Sequence, residues 1–374
     1  MKLINRPENC IDFNTSNEAL YSFENFPVFM GTTKETSKSD LFETMEWIIN
    51  KKNGMIQLKK LIPLDVLYST THTPGTVGKI WKDHHNFFSN FLKKSNPKKV
   101  IEIGGSNGLL AENFLKKKKI NWTIIDPAAQ NNKLNIKIVK DFFCEKHEVD
   151  FLSDVVHSHT FEHIYYPHEF ISLISKKIEK NRFMVFSVPN IKSMLKNKYT
   201  NALNFEHTFY LNEEVIEFFL KYYGFEIKEK KYFLKDHSIF FRAKKISKIS
   251  PINFRYNQYD ENKILFMRFV NFYKKEINDL NLKINNTKNE IFLFGAHIFS
   301  QFLISFGLNS KRVLFILDND LNKKNKRLYG TNLIVKHPEI IKNYKRCTII
   351  LRAGAYNIEI KNSLKKINNQ IEFL

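Results

Sequence analysis

The chain has 374 residues, enough for two or three domains with cores of their own. Apolar residues make up 43%, no uninterrupted apolar run approaches the ~20 residues of a bilayer span, and the three cysteines are odd in number and far apart; this excludes a spanning helix and a disulfide framework. The formal net charge of +21 invites a nucleic-acid partner, but the lysines are dispersed, Lys, Asn, Ile and Phe are all abundant as under AT-rich codon bias, and no arginine-aromatic interleaving accompanies them.

The amino-terminal stretch Met1–Pro7 lacks the apolar core of a secretion signal, and with the cysteine usage it points to a reducing cytoplasm. Residues 1–78 have weak periodicity and read as a small module. Trp47–Leu58 is a predicted strand pair turning at Asn53-Gly54, and Ser69–Lys79 is a Thr/Gly/Pro-rich loop. Ile80, Trp81, Phe87, Phe88, Phe91 and Leu92 place a helix over 79–93. From Lys99 to Lys245 strands and helices alternate. Strands are predicted at 100–103, 122–125, 136–139, 154–159 and 183–188, and helices at 109–115, 168–178 and 212–223, the last stopped by Gly224. Strands at 225–233 and 238–243 follow with no helix between them and should pair antiparallel. The predicted fold is therefore α/β, a mostly parallel sheet over 79–248 closed by a terminal hairpin. After a linker at Lys244–Asn257 and a helix over 260–284, residues 249–374 hold a second strand-glycine-helix-strand-acid unit. It runs Ile291–Phe294, Gly295-Ala296, a helix at 298–306, Val313–Leu317 and Asp318. Strands at 333–335 and 348–351 and a helix near 358–366 complete it.

The segment Lys99–Gly108 (KVIEIGGSNG) followed by Ile124-Ile125-Asp126 carries the most information. Glycines allow positive φ and a close approach of backbone to ligand, and an acid at the tip of the next strand can accept two ribose hydroxyls. Neither the phosphate loop G-x-x-x-x-G-K-[ST] nor the dinucleotide pattern G-x-G-x-x-G is present. The arrangement of Glu102, Gly104, Gly105 and Gly108 with Asp126 resembles the first motif of class I S-adenosylmethionine-dependent methyltransferases. The resemblance implies that Rossmann-like fold and that cofactor, which has no phosphate and suits an acidic loop. It implies cofactor contacts from Glu102, Gly104, Gly105, Ser106 and Gly108, from Asp126 and Pro127 at the ribose, from Asp141 and Phe142 at the adenine, and from His159 and Phe161 in the pocket wall.

The chain also resembles, over nearly its whole length, the three-domain C-methyltransferases that act on nucleotide-linked deoxysugars. The likeness rests on the domain order, on Phe294-Gly295-Ala296, on Asp141-Phe142-Phe143 with Asp154–Pro167 behind it, and on Asn204-Phe205-Glu206-His207 before Phe209-Tyr210-Leu211. It implies a nucleotide sugar as acceptor, within surface-glycan or secondary biosynthesis, and a substrate-binding role for 249–374. His207 is then the candidate base and Glu206 its orienting carboxylate, unless the pair caps the helix near Asn212. The family holds a tyrosine where Asn204 stands, so Tyr210 or Tyr68 becomes the candidate substitute, and O-methylation of a sugar or another small acceptor stays open. A non-catalytic cofactor-binding scaffold is a further alternative. A nucleic-acid methyltransferase would carry an Asn-Pro-Pro-Tyr-like tetrapeptide where Ser158-His159-Thr160-Phe161 stands. No nucleic-acid or membrane partner is expected, and the oligomeric state stays open.

The same family carries an amino-terminal zinc site with paired cysteines before a Gly-x-x-Gln-Leu stretch. That stretch is present as Gly54–Leu58, but the cysteine positions hold Asn50 and Asn53. Amides do not replace thiolates around zinc, so no zinc is expected, and packing of Phe23, Phe26, Phe29 and Trp47 should hold the module. The run His157, His159, His163, His168 has no cysteine or paired carboxylate to complete a metal set, and no metal ligand is predicted.

Overall fold

The computed structural model describes residues 1–69, 78–130, 136–255 and 257–374; most of the predicted 69–79 loop lies outside them. Strands β1 (Asn17–Pro27), β2 (Phe42–Asn50) and β3 (Ile56–Leu58) form an antiparallel sheet in that order. Gly54, at φ 78°, makes the β2–β3 turn and leaves no room for a Cβ against the backbone of Gln258 and Tyr259. Asn50 and Asn53 are buried beside it. Asn50 Nδ2 donates to Asn14 Oδ1 at 2.6 Å and to Asn17 Oδ1 at 2.9 Å. Asn53 Nδ2 donates to Asp12 Oδ2, and Asn9 Nδ2 donates to Asn53 Oδ1, both at 3.0 Å. Amide hydrogen bonds thus tie the amino-terminal loop to the turn where the resemblance would put thiolates.

The central sheet contains β4 (Lys99–Ile103), β5 (Asn121–Ile125), β6 (Lys137–Val139), β7 (Ser153–Ser158), β8 (Phe183–Pro189), β9 (Phe225–Phe233) and β10 (Ser238–Lys245). Its order is β9-β10-β8-β7-β4-β5-β6, and β10 alone runs opposite to the other strands. The inner strands are nearly continuous apolar runs because helices cover both faces. Helices α1 (Lys79–Lys93) and α2 (Leu109–Leu115) bury Phe88, Phe91, Leu110 and Phe114 on one face. Helices α3 (Pro167–Lys177) and α4 (Glu213–Tyr222) bury Ile171, Ile174, Ile216 and Phe219 on the other. Asn212 itself caps α4, its Oδ1 accepting from Val215 N at 3.0 Å, so Glu206 and His207 are not the cap.

After the long helix α5 (Tyr259–Asn286) comes a second, all-parallel sheet. It holds β11 (Glu290–Phe294), β12 (Val313–Leu317), β13 (Val335–Lys336), β14 (Cys347–Leu351) and β15 (Ile371–Phe373), ordered β13-β12-β11-β14-β15. Helices α6 (Ile298–Ser305) and α7 (Asn357–Ile367) pack on it. The strand expected at 333–335 begins at Val335, and β15 was not predicted, being too short for a periodic signal. The amino-terminal aromatics pack outward: Phe23 lies 5.6 Å from Phe302, Trp47 6.1 Å from Phe266 and Phe29 5.4 Å from Tyr329, ring centre to ring centre. One apolar core therefore joins the first sheet to α5, α6 and the second parallel sheet. Arg327 reinforces it with two 2.6 Å bonds to the carboxylate of Asp40. Among the described residues no helix is long and apolar enough to cross a membrane.

Candidate active site

In open parallel sheets ligands bind outside the carboxyl ends of the strands, where the strand order reverses. Here the carboxyl ends of β4, β5 and β7 and those of β11, β12 and β14 border one cavity of about 500 Å³. Gly104, Asp126 and His159 line it from one side, and Gly295, Asp318 and Ala353 from the other.

Gly104, at φ 74°, is pressed against Thr160, and a Cβ on Gly105 would meet Ile124 at 2.8 Å and Glu102 at 2.9 Å. The bare backbone is required, and it leaves a cradle open to the cavity. Asp126 Oδ2 accepts from Ser106 N at 2.9 Å and Oδ1 from Ala128 N at 2.6 Å. Among the described residues each oxygen accepts one hydrogen bond, which leaves the carboxylate capacity for two neighbouring hydroxyls, as a ribose presents. Glu102 is buried, and burial pushes its carboxyl up to about 7, against the Trp122 Nε1 hydrogen bond of 2.8 Å. The second unit repeats this turn. Gly104 N donates to Ile125 O at 3.0 Å, and Gly295 N to Leu317 O at 2.8 Å. Ala296 N donates to Asp318 Oδ2 at 2.8 Å, as Ser106 N does to Asp126. The acid of the second turn is already engaged, since Lys323 Nζ lies 3.1 Å from Asp318 Oδ2.

The same cavity wall carries an acid-imidazole cluster. His163 Nδ1 is 3.3 Å from Glu206 Oε2, and His163 Nε2 is 3.7 Å from Glu162 Oε1. Burial disfavours the His163 cation, but Glu206 and Glu162 outweigh it and leave its pKa raised. Burial likewise pushes Glu162 up, yet His159, His163 and His207 overcome this and hold it at about 2. Both Glu162 oxygens are buried, and His159 Nδ1 lies 3.4 Å from Oε1. His207 is shifted down by burial and by His163. Its Nδ1 lies 2.9 Å from Ala202 O; a carbonyl only accepts, so Nδ1 donates and the neutral ring carries its lone pair on Nε2. Glu162, His163 and His207 bring ligand-type atoms within 4.8 Å of one another. His163 is flanked by two carboxylates, which favour its protonated form.

The cavity gathers Glu102, Gly104, Gly105, Ser106, Asp126, His159, Glu206 and His207 from the sequence-predicted set. The other predicted residues fall outside its wall as described. Gly108, at φ 72°, is the amino-terminal cap position of α2. Pro127 only follows Asp126, and Asp141 pairs with Lys146 at 2.6 Å. Phe142 is 40% exposed and lies edge-on to Tyr68, which does line the cavity. Phe161 corrects the expected pocket wall: its short 3-10 turn points the ring into the core, 5.7 Å from Phe170 and 5.8 Å from Phe219. Tyr210 is also core, its backbone N bonded to Ile56 O at 2.8 Å, and its hydroxyl does not reach the cavity. Sequence reasoning gave no role to Glu162, nor to Ser238, His237 and Tyr356, which form a hydrogen-bonded chain with His159. There His159 Nε2 and His237 Nδ1 lie 2.8 and 2.7 Å from Ser238 Oγ, and His237 Nε2 is 3.2 Å from the Tyr356 hydroxyl. Only the histidine-rich run 157–168 hinted at it.

A family model described as a methyltransferase domain matches residues 76–230. No curated protein matches the chain. Solved structures with a similar course include an S-adenosylmethionine-dependent methyltransferase from Clostridium acetobutylicum, at 14% identity and TM-score 0.35, covering 46% of this chain and 94% of that one. The N-methyltransferase NodS from Bradyrhizobium japonicum aligns at 14% identity and TM-score 0.35, over 45% and 97%. Human N-acetylserotonin methyltransferase aligns at 12% identity and TM-score 0.35, over 44% and 57%. With the matched segment, the strand order of the central sheet and the glycine-acid cradle at its carboxyl edge, the chain contains a class I S-adenosylmethionine-dependent methyltransferase domain and is a methyltransferase.

Proposed function

We propose that the protein methylates a nucleotide-linked sugar held between the central sheet and the second parallel sheet. The observation that carries this is the shared cavity, walled by two copies of one glycine-acid turn. In this reading Glu102, the Gly104–Ser106 backbone and Asp126 hold the cofactor, Asp126 taking the ribose hydroxyls. When bound, S-adenosylmethionine supplies a methyl group on a sulfonium. His207 takes the acceptor's proton at Nε2, and Glu206 sets the cluster through His163. Residues 249–374 hold the acceptor, with Lys323 offering charge to an anionic portion. The three free cysteines accord with a reducing, cytoplasmic setting.

The family resemblance favours carbon as the site of methylation. One observation favours a second reading, transfer to oxygen. Asn204 Oδ1 accepts from Glu206 N at 2.8 Å and His207 N at 2.9 Å. It braces the loop and offers no hydroxyl to an enolate-like intermediate. For a hydroxyl acceptor His207 need only remove the proton as oxygen attacks.

The test is incubation with methyl-labelled S-adenosylmethionine and a panel of nucleotide sugars, keto forms included, with fragmentation of the products. Label in the sugar ring supports the proposal and assigns carbon or oxygen. His207→Ala should lower turnover by about 10²–10⁴-fold while sparing cofactor affinity. Cofactor binding without transfer to any nucleotide sugar would overturn the acceptor class, and wild-type turnover in His207→Ala would end its role as base.

A further inference from the structure

The amino-terminal segment places one buried cation behind the catalytic loops. Arg6 is 6% exposed. Its Nε and Nη2 donate to Leu58 O at 3.2 and 3.0 Å, its Nη1 donates to Tyr165 O at 3.3 Å, and its Nη2 also donates to Thr208 O. Among the described residues it has no carboxylate partner; its side chain bonds only backbone carbonyls. Those carbonyls belong to β3, to the loop carrying Glu162 and His163, and to the loop carrying Glu206 and His207. Thr208, next to His207, is stitched in further. Its N donates to Glu162 O at 3.0 Å, its Oγ1 to Ile164 O at 2.8 Å, and its O also accepts from Leu58 N at 3.0 Å.

We propose that Arg6 is a positioning residue: its planar guanidinium holds the two loops in the register that sets His163 between Glu162 and Glu206 and points His207 at the cavity. This rests on the reading of His207 as the base. The physical reason is the rigid fork, whose donors lie in one plane and can serve three carbonyls at once. Without it three buried carbonyls each lose a donor. The role also gives the first sheet a task at the site, since β3 is the third segment that the fork grips.

The experiment uses the full chain saturated with S-adenosylmethionine, comparing wild type with Arg6→Met and Arg6→Lys. Histidine NMR titration reads the His163 midpoint, and hydrogen exchange reads the amides of Thr208 and of Val185 in β8, far from the fork. In Arg6→Met the His163 midpoint should fall by about 0.5 pH or more as its pairing with Glu206 loosens. Thr208 exchange should quicken about tenfold or more relative to Val185, with cofactor affinity within about twofold of wild type. Arg6→Lys keeps the charge and loses the fork, so it should fall between the two, and it decides alone should Arg6→Met fail to fold. Wild-type His163 titration, or Thr208 exchange that changes only in step with Val185, would overturn the proposal. None of these readouts uses an acceptor, so failure of the nucleotide-sugar reading leaves the result interpretable.

Discussion

Asp126 ends its strand with both oxygens bonded to backbone N–H groups and both still able to accept. Asp126→Ala should weaken S-adenosylmethionine binding by about 10–100-fold, the worth of one or two hydrogen bonds to a charged acceptor; calorimetry checks the affinity and circular dichroism the retained fold. Glu102 makes a different prediction. Its folded pKa of about 7 lies above the ordinary carboxylate value, so between the two the folded state binds more protons than the unfolded chain. Stability contributed by the protonated form is present below the ordinary value and is lost as pH rises toward 7. The stability of the wild type relative to Glu102→Gln, read from denaturant melts of both at pH 5 and pH 8, should therefore fall between the two pH values by an amount on the order of 1–3 kcal/mol. Both residues were legible in the sequence because a glycine turn and a strand-tip acid are local patterns. Glu162 was not legible, since its importance comes from three imidazoles that the fold brings around it. Phe161 and Tyr210 were misplaced for the converse reason: sequence adjacency to site residues does not say which way a side chain turns.

At the scale of elements, the helices over 79–93 and 109–115 and the strand over 313–317 match their predicted bounds. Apolar spacing of 3.6 or near-continuous β-branched runs marks such segments whatever surrounds them. β1 lacks a clean alternation and was missed, and β15 spans too few residues to show one. The amide network beside Gly54 was also invisible, because its members come from two stretches of chain. Asn53→Ala removes the bonds to Asn9 and Asp12 and leaves polar groups buried. It should destabilise the protein by about 1–3 kcal/mol, read as a lower denaturation midpoint with an unchanged denaturant slope.

For the whole molecule, the decisive feature is that two α/β units turn their strand ends toward the same space. Lys323, 4% exposed and paired with Asp318, places a charged pair from the second unit in the wall of the cavity that the Gly104–Asp126 turn also lines. Lys323→Ala should raise the KM for a nucleotide-sugar acceptor by about tenfold, one ionic contact, with S-adenosylmethionine affinity unchanged. Steady-state kinetics with each substrate varied in turn separates the two effects, and a change confined to the cofactor would reverse the assignment of sides.

By itself the amino-acid sequence determined the alternation of strands and helices, the cradle at Gly104–Asp126 and its echo at Gly295–Asp318, because backbone permissiveness and hydrophobic period act over a few neighbouring residues. Only the tertiary structure decided that the two turns share one cavity, that Glu162, His163, Glu206 and His207 form one charge-coupled cluster, and that Arg6 reaches behind two loops about 160 and 200 residues away. Such pairings depend on how packed layers meet, and no local pattern encodes the distance between residues far apart in the chain.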